Sequence, residues 1–166
     1  MSSATSLAAT QVGNDLFARI LGTSSGLVVL ESEDVRVTIA QFRALARRTG
    51  QAVYLWEPVT GLSSLRDVHA RFPDCQRIGS ALRHVRQSLH FGVYFLVGVE
   101  LPLNATDFAL LRQLAREPTE HLRRVVLLSP PPILSEQLGD AAVHLRCGSS
   151  SPRHLRMRDG RWLVES

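Results

Sequence analysis

The residues of this chain best suited to chemistry are Glu31, Ser32, Glu33 and Asp34, set directly behind the apolar run Leu27-Val28-Val29-Leu30. In an open α/β sheet, ligands collect beyond the carboxyl ends of the strands, so this is where binding or catalytic groups belong. Clustered carboxylates are the donor set of magnesium or calcium. They equally suit the start of a helix, with Ser32 as cap and Glu33 and Asp34 complementing the dipole in the first turn. A phosphate site needs the opposite: a glycine-rich turn whose backbone amides and helix N-terminus meet the anion. Three acids in that place repel it. The expectation is that these acids are structural and that neither a metal nor a cofactor is bound. The candidate strand-end site is Glu31, Ser32, Glu33 and Asp34, joined by Trp56 and Ser129 at the ends of two further strands.

What is missing narrows the chemistry further. All 19 basic residues are arginine, and there is no lysine. A P-loop needs a lysine ammonium on the β- and γ-phosphates, and Schiff-base or acyl-carrier chemistry needs that nitrogen as nucleophile. Arginine stays protonated and serves as anion clamp, ion-pair partner or stacking platform. The chain has no HExxH, EF-hand loop or paired CxxC. His84 and His90 stand six apart, which does not put them on one helix face. Cys75 and Cys147 are far apart in sequence and read as ordinary reduced thiols. The catalytic set is therefore expected to be empty, and the protein not to be an enzyme.

The elements that must position these groups alternate between strand and helix. Asn14 reads as the cap of a short helix bearing Leu16, Phe17, Ile20 and Leu21, preceded by a flexible tail over residues 1–13. Continuous apolar runs at Leu27-Leu30, residues 52–56, residues 93–97 and residues 125–128 predict strands buried on both faces, as in a parallel sheet. A fifth is expected at residues 142–145. Between them, Val35, Ile39, Phe42 and Ala46 stripe one helix that Gly50 ends; Ile78, Ala81, Leu82, Val85 and Leu89 stripe another that ends near His90; and Asn104 caps a third with Asp107 at its third position. Residues 62–77 read as a long, weakly patterned connection. The whole implies one α/β domain over residues 14–148, a three-layer sandwich around a mostly parallel five-stranded sheet.

Residues 149–166 form a separate linker and β-hairpin in this reading. Asp159-Gly160 between two alternating segments is a strong hairpin signal. Leu155, Met157, Trp162 and Val164 supply an apolar side, and Arg153, Arg156, Arg158 and Arg161 a basic rim. Trp162 with these arginines makes a candidate interaction surface, because that pairing is enriched in interface hot spots. Completion of the domain's own core is the other reading of the same segment.

The motifs also carry a resemblance. The stretch Val28-Val29-Leu30-Glu31-Ser32-Glu33-Asp34-Val35-Arg36, the strand ending in Trp56 with Gly61-Leu62 beyond it, Phe95-Leu96-Val97 with Pro102, and Val125-Val126-Leu127-Leu128-Ser129-Pro130 are similar to the N-terminal domain of plastid and cyanobacterial AAA-type ATPases, a conserved chloroplast open reading frame family. The similarity spans about residues 16–147. That family usually has threonine where this chain has Glu31, and an acid after the third strand where it has Gly98-Val99, with Glu100 next in line. The resemblance implies a degenerate P-loop NTPase-like fold without a P-loop, here expected without the AAA module.

Together these readings predict a non-catalytic interaction or adaptor domain. Its partner is expected to be a protein, either an oligomeric ATPase that it regulates or a second copy of itself. The alternative is a nucleic-acid-associated protein that places the arginine-rich hairpin on phosphates. The longest apolar run, residues 91–99, is too short to cross a bilayer, and residues 1–10 lack the basic and apolar regions of a signal peptide, so a cytoplasmic location is expected.

Overall fold

A computed structural model describes residues 2–67, 69–116, 123–147, 155–158 and 161–164. The buried apolar runs become the strands β1 (Leu27–Ser32), β2 (Val53–Glu57), β4 (Gly92–Leu96), β5 (Arg123–Leu128) and β6 (Val143–Cys147), all parallel. A sixth strand, β3 (Gly61–Ser64), turns back antiparallel on β2. The sheet order is β3-β2-β4-β5-β1-β6. The sheet thus has one strand more than the five expected. It arises inside the weakly patterned stretch, where Gly-Leu-Ser-Ser carries little strand propensity and is held by pairing with β2.

Side-chain alternation splits the core into two layers. Leu27, Val29, Trp56, Leu96, Val125 and Leu127 face α3 (Ile78–Gln87), α4 (Ala105–Arg116) and α5 (Pro132–Leu138). Val28, Leu30, Leu55, Phe95, Val126 and Leu128 face α1 (Ser2–Leu21) and α2 (Val35–Thr49). Both faces of each central strand are covered, which is why their sequences are continuous rather than alternating. The Phe42 ring lies 4.5 Å from that of Phe95, tying α2 to the sheet. Gly26 precedes β1 where a Cβ would run into the Leu114 carbonyl of α4, so that crossing requires glycine. Gly50 closes α2 in the left-handed conformation, φ 73°, as expected of a helix stop.

Three local expectations are corrected. Helix α1 begins at Ser2, so residues 2–13 are helical rather than a tail and Asn14 lies inside the helix. Helix α3 ends at Gln87, leaving Leu89 outside it and 72% exposed. The cap of α2 is Asp34, not Ser32. Strand β1 continues through Glu31 and Ser32 because they pair with Arg146 and Cys147 of β6, so Ser32 belongs to the ladder and the helix start falls two residues later. Asn104 does cap α4, accepting from the Asp107 amide at 2.8 Å.

The C-terminal hairpin forms as β7 (Leu155–Arg158) and β8 (Arg161–Val164), a separate two-stranded sheet with Met157 opposite Trp162 and Arg158 opposite Arg161.

Candidate functional site

The carboxyl ends of β1 and β5 are neighbours in the sheet, and this brings Ser32 and Ser129 together. The Ser32 amide donates to Ser129 Oγ at 3.0 Å, and that hydroxyl donates back to the Ser32 carbonyl at 3.2 Å. The Ser129 amide donates to the Leu30 carbonyl at 2.8 Å. Ser129 holds a positive φ of 45°. A non-glycine residue in that region costs on the order of 1–3 kcal/mol, which these three hydrogen bonds offset. Pro130 and Pro131 then carry the chain past the strand end, and Pro132 is the first residue of the next helix.

Ser32 also reaches into the protein. Its hydroxyl lies 2.6 Å from Thr38 Oγ1, and Thr38 is buried on α2 at 2% exposure. Thr38 Oγ1 in turn approaches Cys147 Sγ at 3.9 Å. The site is thus a polar clasp joining β1, β5, β6 and α2. Thr38 escaped the sequence reading because, between Val37 and Ile39, it looks like one more β-branched residue. Its signal was its place one helical turn beyond the Asp34 cap, on the inward side.

Asp34 occupies the helix N-terminus itself. One carboxylate oxygen accepts from the amides of Arg36 at 3.0 Å and Val37 at 3.2 Å, and the Asp34 carbonyl accepts from the Thr38 amide. The amides that would meet an anion are therefore already bound to one. Only Glu33 and Asp34 separate β1 from α2, too few residues to wrap a phosphate. Glu31 and Glu33 are exposed. Among the described residues, no group of three or more His, Cys, Asp or Glu side chains is placed to hold a metal ion.

Trp56 is not brought to this cluster. It sits on β2, with β4 between it and β5, is 3% exposed, and donates from Nε1 to the Cys75 carbonyl at 2.9 Å. It anchors the loop before α3 and belongs to the core. Cys75 is buried there, and burial first, then the Asp74 carboxylate, push its thiol above the ordinary range. Such a thiol is a poor nucleophile. Cys75 packs on the α3–α4 face and Cys147 on the α1–α2 face, and both are free.

One buried charge went unread in the sequence. Arg124, the second residue of β5, is 7% exposed and donates from Nη2 to the carbonyls of Leu21 and Thr23, both at 3.1 Å. It binds the end of α1 to the opposite end of the sheet from the acids. Burial lowers its affinity for a proton. Of the arginine-rich candidate surface, Arg153 lies outside the described residues. For Arg156, Arg158, Arg161 and Trp162 the structure describes the hairpin backbone alone.

No curated protein and no solved structure matches the chain significantly. A family match does exist and covers residues 14–146, nearly the span of the resemblance read from the motifs. With its mostly parallel sheet, its two helical layers and its short β1–α2 connection, the chain belongs to the family of SpoVK-like AAA ATPase N-terminal domains.

Proposed function

We propose that this domain is a non-catalytic interaction module of degenerate P-loop-like fold that serves an oligomeric AAA ATPase as adaptor or regulator. The observation that carries this reading is the self-satisfied start of α2. In a nucleotide-binding sheet the first strand-to-helix turn offers open amides to phosphate; here Asp34 fills them and the connection has two residues. The absence of lysine supports the same conclusion, since no ammonium can reach a γ-phosphate. Membership in a family named for AAA ATPases supplies the class of partner. A reducing, cytoplasmic setting agrees with the two free cysteines.

Two measurements test the proposal. Calorimetric titration with Mg-ATP should give no submillimolar binding. Adding the protein to an AAA ATPase of the same cell should change its ATP turnover, with a complex that survives raised salt. Submillimolar ATP binding, or an unchanged turnover with no complex, refutes it. Capture of nucleic acid that weakens by orders of magnitude with salt would instead favour the arginine hairpin as a phosphate binder.

A further inference from the structure

Three of the four large exposed apolar side chains of the described surface share one edge of the sheet. Val37, Val59, Leu89 and Ile133 are the large ones, 52%, 88%, 72% and 60% exposed. Val37 lies in the first turn of α2, Val59 in the β2–β3 turn and Ile133 at the start of α5, so all three stand at the carboxyl edge of the parallel strands. Leu89 stands alone at the amino edge, between α3 and β4.

Charge divides along the same axis. The carboxyl edge carries Glu31, Glu33, Asp34, Glu57 and Glu100, against the cations Arg36, Arg77 and Arg146. The helices α2, α3 and α4 each begin there and add only about half a positive charge apiece. The amino edge carries Arg47, Arg48, Arg66, Arg86, Arg116 and Arg123, against Asp67 and Asp140 among the described residues. Two of these arginines are held at that edge by backbone carbonyls: Arg66 donates to the Gly50 carbonyl, and Arg123 to the carbonyls of Val85, Arg86 and Ser88. Their guanidinium charge is therefore fixed in place.

From this polarity we infer that the domain associates head to tail with a second copy of itself, carboxyl edge against amino edge. The occupant is specified twice. An anionic face with exposed apolar side chains selects a cationic face with an apolar knob, and the chain's own amino edge has both, with Leu89 set beside Arg86. Two like edges would place carboxylate on carboxylate or guanidinium on guanidinium, so a two-fold pairing of identical faces is opposed. The resulting contact is heterologous, and copies add in one direction, into a ring if the rotation closes and a filament if it does not. This inference goes beyond the adaptor reading and does not depend on it.

The test uses the full chain in sedimentation velocity from micromolar to millimolar concentration. At about 0.05 M salt the sedimentation coefficient should rise with concentration, and at about 0.5 M it should return to the monomer value, as screening shortens to a few ångströms. A carboxyl-edge variant, Val59→Arg with Ile133→Arg, and an amino-edge variant, Leu89→Asp with Arg116→Glu, should each remain monomeric at low salt. All four positions are exposed, and circular dichroism and melting check that each variant folds. An equimolar mixture of the two variants should then form a heterodimer and nothing larger, because each keeps one intact edge. A wild-type protein that stays monomeric, association that persists in either variant or at high salt, or a mixture that stays monomeric overturns the inference.

Discussion

Replacing Asp34 by alanine tests the closed start of α2 directly. The carboxylate holds two amides that no carbonyl inside the helix can satisfy, those of Arg36 and Val37. Losing an aspartate cap for alanine costs about 0.5–2 kcal/mol, and because Asp34 is exposed, water re-solvates part of what is lost. The expected value is therefore about 1 kcal/mol, or roughly 2–4 °C in melting temperature for a chain of this size. Asp34→Asn keeps the accepting oxygen and loses only the charge at the helix dipole, about 0.3–1 kcal/mol. Equilibrium urea unfolding with an unchanged slope separates the two. Glu33→Ala, which removes an exposed acid outside the cap, should fall below both. If Asp34→Ala costs no more than Glu33→Ala, Asp34 is not the cap and the reasoning that it fills an anion site fails.

The Ser32–Thr38 hydroxyl pair should behave as a coupled unit: Thr38→Val and Ser32→Ala each cost about 1–3 kcal/mol by stranding a partner, and the double variant costs less than their sum in urea unfolding. Cys75 should resist alkylation in the folded protein and react on unfolding, by mass spectrometry of trapped thiols. Its raised folded value means that the unfolded chain ionises first, so stability is full below about pH 8.5, the ordinary thiol value, and falls as pH rises beyond it. Tyr94, raised mainly by burial, adds a second loss from about pH 10. Thermal melts of Cys75→Ala should lack the first of these declines. Arg124→Leu should cost about 1–3 kcal/mol, because it strands the carbonyls of Leu21 and Thr23 at the end of α1, and hydrogen exchange should rise in α1 before the sheet.

The parallel strands were legible because burial on both faces leaves an unbroken apolar signature: Val28 to Leu30, Val93 to Phe95 and Val125 to Leu128 are seen at once. Strand β3 was not, since an edge segment of glycine and serine owes its extended form to its partner and not to its own residues. The start of α1 was hidden for a related reason. Residues 2–13 show no apolar stripe comparable to Leu16, Phe17 and Ile20, so nothing local marks where the helix begins. At the candidate site, two good cap residues competed, and only the β1–β6 register decides between them: pairing of Ser32 with Cys147 withdraws it from the helix. Trp56 was placed correctly at a strand end, but which strands lie between two ends is a property of sheet order, and β4 keeps it away from Ser129.

Sheet order also explains why the strand-end residues act as a clasp. Strands β1 and β5 are adjacent although nearly a hundred residues apart in sequence, and β6 returns to the far side of β1, so three strand ends converge on Ser32. A ligand-binding sheet leaves the polar groups at such a convergence open, to be satisfied by the ligand. Here Ser129 accepts from and donates to Ser32, Thr38 takes the Ser32 hydroxyl, and Asp34 takes the first helix amides. With these backbone groups consumed internally, what the carboxyl edge still presents outward is Val37, Val59, Ile133 and a surplus of carboxylates. Apolar side chains with charge around them are the materials of a protein interface rather than of a phosphate cradle. The same polar contacts fix the strand ends and the helix start from which those side chains project.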